Sequence, residues 1–422
     1  MGKAGSNSLL KTGIFIISIV SLSISAFSQN KNKLIAPVKM NGKWGFIDSS
    51  DNWVIRPVYD EIRNFSEGIA AIAIADTTKT EKVYWGFIRC DGKIIIKPLY
   101  DEVQDFSEGL GAVATGDVIA GSGNWGFVDK SGKWIIKPEY SGVSQFKNGL
   151  AGFGKGGING YHGEWGYINR EGKKVIPSKY SGEAMYTPTG YLFAENVSAV
   201  SFARLYEEGV PSWGYIDYSG KTIIKPAFDW ADNFCEGRAR VNMGGYYQWG
   251  AIREGKFGVI DKKGIFIVKP LYKYIYNYSE GLAVVIDSND SLDRFGYIDK
   301  QGKVKIPLVF EEAGSFSGGT ALVKINNKFG IIDTSGKYII KPEYDDLHPF
   351  MDGLAAFQYQ NEWGFADKNG KSVILPKYDA IQDFYCGFAA IKMKNKWGFI
   401  DKKGNIVVKP FYDEAGNFQR TE

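Results

Sequence analysis

Hydrophobic and polar positions alternate in short runs along most of the chain. In Lys396-Trp397-Gly398-Phe399-Ile400-Asp401 the period is two, so Trp397 and Phe399 share one face while Gly398 and Ile400 share the other. A Lys402-Lys403-Gly404 turn follows, with its glycine where a left-handed residue is needed. Asn405 to Tyr412 then alternates again and carries Lys409-Pro410. Proline cannot donate to a ladder, so this run is expected at a strand end or an unpaired edge. A loop follows, often Phe-Ser-Glu-Gly as at Phe65–Gly68 and Phe106–Gly109, and then a third run such as Leu354-Ala355-Ala356-Phe357. Short strands and tight turns are predicted throughout.

This phrase recurs. An aromatic followed by Gly stands at Trp44, Trp85, Trp125, Trp165, Trp213, Phe257, Phe295, Phe329, Trp363 and Trp397. A proline lies 12 or 13 residues beyond each one, from Pro57 to Pro410, and a Tyr or Phe follows it closely, from Tyr59 to Tyr412. Such a period is the signature of a tandem-repeat architecture, in which each small unit buries its faces against its neighbours. Each unit is expected to hold three strands, with no strand exchanged between the two ends of the chain. The expected fold is all-β: about ten three-stranded units in an open stacked or superhelical array. Closed propeller-like rings are the alternative, for instance two of five units. The large ring beside a glycine suits core packing, the missing side chain admitting an aromatic from a neighbouring strand or unit. Phe replaces Trp in copies six to eight, so the position calls for bulk more than for an indole N–H.

The phrases Lys-Trp-Gly-Phe-Ile-Asp, Gly-Lys-x-Ile-Ile-Lys-Pro-x-Tyr-Asp and Phe-Ser-Glu-Gly-Leu-Ala resemble the WG repeat family of bacterial β-repeat proteins, across residues 33–418. Copy four departs from the pattern at Ser181–Gly190, which replace the Phe-Ser-Glu-Gly loop. The resemblance implies a β-repeat array, commonly exported or at a surface, and implies no activity.

The N-terminal segment stands outside the repeat. Lys3 and Lys11 precede an apolar run from Ile14 to Ile24, and Ala26-Phe27-Ser28 supplies a small-residue exit. This is the layout of a cleavable signal peptide over residues 1–28, with the cut after Ser28 and the repeat array over residues 29–422. The expected location is secreted, periplasmic or at the cell surface. No later run is long enough to cross a bilayer as a helix. Loss of two lysines would take the net charge from +4 to about +2, a balance that argues against nucleic acid as the partner.

Catalytic patterns are missing. The two histidines, His162 and His348, lie in different copies and outside any metal spacing. Cys90, Cys235 and Cys386 match no zinc or redox motif. Asp48, Asp129, Asp261 and Asp401 recur at hairpin turns, where accepting turn N–H groups is the expected task. Carboxylate neighbours such as Glu311-Glu312 leave a hydrolase as a remote alternative. No catalytic residue, metal or cofactor is expected.

Function is expected where the copies disagree. Successive aromatic–Gly pairs are 41, 40, 40, 48, 44, 38, 34, 34 and 34 residues apart. The early copies carry extra residues at Asp76–Val83, Gly116–Asn124 and Gly154–Glu164. If the units stack in register, these emerge on one side, where binding loops commonly sit. The irregular middle adds Trp230, Tyr246, Tyr247, Tyr274, Tyr276 and Tyr278 as candidate ligand contacts, a sugar-stacking platform if exposed. The expectation is an exported, non-catalytic scaffold that binds a protein or glycan at the cell envelope, or a cell-wall polysaccharide-binding module.

Overall fold

The computed structural model describes residues 34–76, 82–117, 120–157, 163–181, 192–202, 213–248, 251–289 and 292–421. Residues 1–28, with the expected cleavage site, and all of Ser181–Gly190 but Ser181 itself lie outside the described residues. No helix occurs among the described residues, and the strands form ten separate antiparallel sheets. These are the ten blades of a closed ring, a ten-bladed β-propeller. We number the blades by their aromatic–Gly pair, from Trp44 in blade 1 to Trp397 in blade 10.

Blade 2 shows the plan. A two-residue strand, Glu61–Ile62, pairs with Ile69–Ala75; that strand pairs with Val83–Arg89, which carries Trp85-Gly86; and Ile94–Tyr100, with Pro98, lies at the far edge. The expected three-strand unit therefore gains a fourth, short strand. It was hidden because two residues carry no readable period. In blade 5, three strands lie among the described residues.

The aromatic–Gly pair owes its glycine to the proline strand. Trp44 pairs with Tyr59 and Phe46 with Ile55, so Arg56, Pro57 and Val58 together lie opposite Gly45 alone. This bulge presses backbone onto the glycine: a Cβ there would sit 2.5 Å from the Ile55 carbonyl oxygen and 2.7 Å from the Pro57 nitrogen. The space beside the glycine thus takes the backbone of its own blade, not the neighbouring aromatic expected from sequence. Proline fits the same place, because residues in the bulge need no ladder N–H and the strand is an edge. In Val304–Phe310 and Lys174–Ser181 the proline moves within the bulge without changing the pairing on either side.

Eight of the ten blades join through a second aromatic, two residues past the first; blades 6 and 8 have Val259 and Ile331 there. Phe46 of blade 1 meets Phe65 in the loop entering blade 2, with ring centroids 5.0 Å apart and edge-on. The same contact recurs as Phe87–Phe106 at 4.9 Å, Phe127–Phe146 at 4.8 Å and Phe365–Phe384 at 4.7 Å. An edge-to-face pair of this kind contributes about 0.5–1.5 kcal/mol beyond its buried area. The Glu of the same loop forms a clamp. Glu67 accepts the Gly109 N–H of the next blade's loop at 3.0 Å and pairs with Lys130 at 3.1 Å. Glu236 repeats this with Gly281 and Lys300, and Asp352 with Gly387 and Lys402. Burial pushes the Glu67 carboxyl up, but Lys130 and the loop amides outweigh it and hold its pKa below the ordinary value. The turn aspartates do accept N–H groups: Asp401 Oδ1 takes those of Lys403 and Asn405, both at 2.9 Å.

The ring closes on blade 1. Its short strand is Glu414–Ala415, from the other end of the chain, and Gln419–Arg420 pairs with Leu34–Met40 as well. Gly416 donates to the Pro37 carbonyl at 2.8 Å, Lys39 pairs with Glu414 at 2.7 Å, and the Tyr412 hydroxyl donates to Asp51 at 2.6 Å. Phe418, fully buried, packs at 4.7 Å on Phe399 as the tenth copy of the loop aromatic. A strand is therefore shared between the ends, and closure replaces the open array and the pair of five-unit rings. Residues 413–420 thus complete the first unit.

Two outcomes follow. Gly364→Ala forces a Cβ to 2.5 Å from the Ile374 carbonyl, and an overpacking cost of about 1–3 kcal/mol should lower the denaturation midpoint. Deleting residues 413–422 should open the ring, seen as a larger hydrodynamic radius or as association through the bared edge of Leu34–Met40. An unchanged, monomeric elution volume and melting temperature would contradict the closure.

Candidate ligand-binding site

Strand direction divides the ring into two faces. One carries the Phe-Ser-Glu-Gly loops and the Asp-x-x-Gly turns, held by the clamps above. The other carries the hairpins that lead into each aromatic–Gly strand. Blades 8, 9, 10 and 1 close these hairpins with two residues, Asn326-Asn327, Gln360-Asn361, Lys394-Asn395 and Asn41-Gly42, each with positive φ. Two left-handed residues in succession make the tight turn that matches strand twist. In blades 2, 3 and 4 the inserts Asp76–Val83, Gly116–Asn124 and Gly154–Glu164 fall at this same connection in the chain, but residues 77–81, 118–119 and 158–162 lie outside the described residues. Blades 6 and 7 instead lengthen their strands, Ala239–Gln248 with Ala251–Ile260 and Leu282–Asn289 with Leu292–Asp299. One face thus has a sector of two-residue turns and a sector of longer connections.

The repeat aromatics belong to the frame. Trp85, Trp125, Trp165, Trp213 and Phe257 are buried, while Trp44, Phe295, Phe329, Trp363 and Trp397 are half-buried. The Trp213 Nε1 is buried without an acceptor among the described residues, in keeping with a need for bulk.

The candidate ligand contacts divide. Trp230 and Tyr278 are core residues, a correction to the expected platform: Trp230 packs between Trp213 and Phe257, and the Tyr278 hydroxyl donates to the Asp299 carbonyl at 3.0 Å. Tyr274 is half-buried against Phe257 at 4.8 Å and receives a 2.8 Å hydrogen bond from Arg240. That guanidinium is itself buried, lies between the Trp230 and Tyr274 rings, and holds Asp232 through Nε and Nη2, both at 2.8 Å. Tyr246 and Tyr276 are exposed, at 48% and 39%. The side chain of Tyr247 lies outside the described residues.

Tyr276 stands in the wall of a groove of about 290 Å³ between blades 7 and 8. The other walls are Phe295, Leu322, Val323 and Phe329, with Glu312, Ala313 and Gly314 at the short strand of blade 8. Glu312 is bonded to Lys324 at 2.8 Å, and the Lys324 ammonium lies 4.9 Å from the Phe329 ring centroid. Glu311 points elsewhere and accepts the Asn327 N–H at 2.9 Å, so the two neighbouring glutamates do not form a carboxylate pair over one bond. Gly314, Glu312 and the two phenylalanines were not singled out from sequence as ligand contacts. Their signal is the residue after the short strand, which changes from blade to blade while its surroundings repeat.

At that position, side chains elsewhere fill the gap between blades. Arg63 donates to the Val103 carbonyl at 2.6 Å and lies over Trp85 at 4.4 Å. Gln104 and Gln382 donate to the Val143 and Ala415 carbonyls at 3.2 and 2.6 Å. His348 lies 5.0 Å from the Trp363 ring and bonds Asp383 of blade 10 at 2.8 Å. In blade 7 this position is Tyr276, which faces blade 8, and in blade 8 it is Gly314, which adds no side chain to the lining.

Cys90, Cys235 and Cys386 are free thiols, each half-buried. Among the described residues no group of three or more His, Cys, Asp or Glu could hold a metal ion, and no helix is long and apolar enough to cross a membrane.

The WG containing repeat model matches the chain ten times, at residues 44–74, 85–117, 125–157, 165–182, 213–247, 257–287, 295–329, 329–362, 363–397 and 397–420. The chain belongs to the WG repeat family. No curated protein matches the chain in sequence. Similar solved structures include a eukaryotic initiation factor, at 13% identity, covering 81% of this chain and 95% of that one, with a TM-score of 0.49. The β-propeller domain of the Trilobed protease from Pyrococcus furiosus follows, at 8% identity, 83% and 98% coverage and a TM-score of 0.32. Porphyromonas gingivalis dipeptidyl peptidase 4 matches at 10% identity, 93% and 67% coverage and a TM-score of 0.41. At these TM-scores the likenesses carry no argument about this WG repeat protein's activity.

The Asp383 carboxylate holds the His348 imidazole above its ordinary pKa. Its stabilisation is therefore fully present below about pH 6.5 and is lost as pH rises through the raised value. Both side chains are about one-third exposed, at 33% and 32%, so solvent limits the effect to about 0–1 kcal/mol. His348→Gln should lower stability at pH 5.5 and leave it unchanged at pH 9, measured by denaturant titration at both values. A loss that is equal at the two values would remove the ion pair as its cause.

Proposed function

We propose that this WG repeat ring is an exported, non-catalytic binding protein that holds a protein or glycan of the cell envelope. The observation that carries this reading is the sectored hairpin face: one arc of blades has longer connections and long hairpins, the other has two-residue turns, and an aromatic groove lies where the arcs meet at blades 7 and 8. A closed ring gives such a face the rigidity that fixed binding contacts need. The basic start and short apolar run of residues 1–28 support export. The lack of a nucleophile–base pattern in the sequence supports binding without turnover.

Expression of the full chain in a bacterial host should yield a mature N-terminus at Gln29 in the envelope or medium, read by N-terminal sequencing. The purified ring should sediment with isolated envelope sheets and release no product from glycoside, ester or peptide substrates. Replacing the inserts of blades 2, 3 and 4 with Asn-Gly turns should weaken sedimentation while the fold persists. Retention of the uncut N-terminus in the cytoplasm, or no sedimentation at all, would overturn the proposal.

A further inference from the structure

The groove between blades 7 and 8 exists for a specific reason. Blade 1 carries the same local set: Gly416 at the position of Gly314, and a Lys39–Glu414 pair beside Trp44 where blade 8 has Lys324–Glu312 beside Phe329. There the place is filled, because a Cβ on Gly416 would meet Pro37 Cγ at 2.6 Å. In blade 8 the residue matching Pro37 is Leu322, and a Cβ on Gly314 would meet nothing nearer than the Leu322 carbonyl oxygen at 3.8 Å. The Ala313 carbonyl matches those of Val103, Val143 and Ala415, which accept a side chain from the preceding blade. Among the described residues none from blade 7 donates to it. Tyr276 stands in the wall instead, 39% exposed.

The lining therefore offers aromatic and aliphatic surface from Tyr276, Phe295 and Phe329, and beside it an acceptor and a donor 2.8 Å apart, the Glu312 carboxylate and the Lys324 ammonium. That pair is neutral overall, so a free anion or cation gains little from it and has to compete with the partner already bound. Adjacent hydroxyls of one molecule can take both roles at once, one donating to Glu312 and one accepting from Lys324. The C–H face of the same molecule can cover a ring. A volume of about 290 Å³ is at the small end for ligand sites, suited to a single ring, not to an extended peptide.

We infer that this groove binds one pyranose unit of a neutral oligosaccharide. The inference rests on the binding function proposed above and names its ligand and place. The saccharide stacks on the Phe329 and Tyr276 side and bridges Glu312 and Lys324 through vicinal hydroxyls, while the Ala313 carbonyl takes a further hydroxyl.

The test uses the full mature chain in isothermal titration against neutral hexose and N-acetylhexosamine oligosaccharides, uronic-acid oligosaccharides and a lysine-rich peptide. Gly314→Gln puts a side chain into the lining beside Phe329, as Arg63 lies over Trp85 in blade 2, and Gly314 has no positive φ to strain it. This variant should keep the wild-type melting temperature and lose neutral-saccharide affinity by about tenfold or more, a factor of about 1.4 kcal/mol. Tyr276→Ala, at an exposed position, should weaken the same ligand. Equal affinity in wild type and Gly314→Gln would place the saccharide elsewhere. Preference for the uronic acids or the peptide would overturn the ligand chemistry. Should no saccharide bind while envelope sedimentation persists, this inference fails and the binding function stands; loss of both removes the function with it.

Discussion

Everything in this ring depends on ten places where a side chain is missing. The glycine after each repeat aromatic lets the proline strand bulge onto the neighbouring backbone, at distances no Cβ could tolerate. That bulge fixes the register of the last two strands and leaves the proline on an edge where its lost N–H costs no ladder bond. It also keeps each blade thin. A thin blade cannot bury its own faces, so the aromatic two residues on must find its partner in the next blade's loop, as Phe46 finds Phe65 and Phe399 finds Phe418.

The same dependence explains why the chain closes. In an open array the last blade would leave Phe399 bare and the first would leave the edge of Leu34–Met40 unpaired. Residues 413–420 meet both needs at once, placing Phe418 on Phe399 and Glu414–Ala415 on the first blade. Closure turns nearest-neighbour contacts into a ring in which every blade has two neighbours. The loop glutamates add a second tie, spanning to the next loop glycine and to a lysine on an adjacent turn.

A frame this repetitive makes its exceptions readable. Arg63, Gln104, His348 and Gln382 occupy one structural position and each fills it differently. Gly314 leaves it empty, and Leu322 of blade 8 does not reach into the space as Pro37 does beside Gly416 in blade 1.

The sequence by itself determined the all-β class, the ten copies, the turn aspartates and the edge proline. Each of these is set by residues within one unit, through a period of two or a turn that needs a particular residue. The tertiary structure decided the rest. The short strand such as Glu61–Ile62 is too brief to show a period. Closure depends on residues 413–420 meeting residues 34–40 across the whole chain. Trp230 and Tyr278 share an aromatic-rich stretch with Tyr276, yet burial separates them, since which ring faces solvent is set by the neighbouring blade. The groove at Gly314 is a property of two blades together: a glycine reads as a turn residue until one sees that nothing fills the space it leaves.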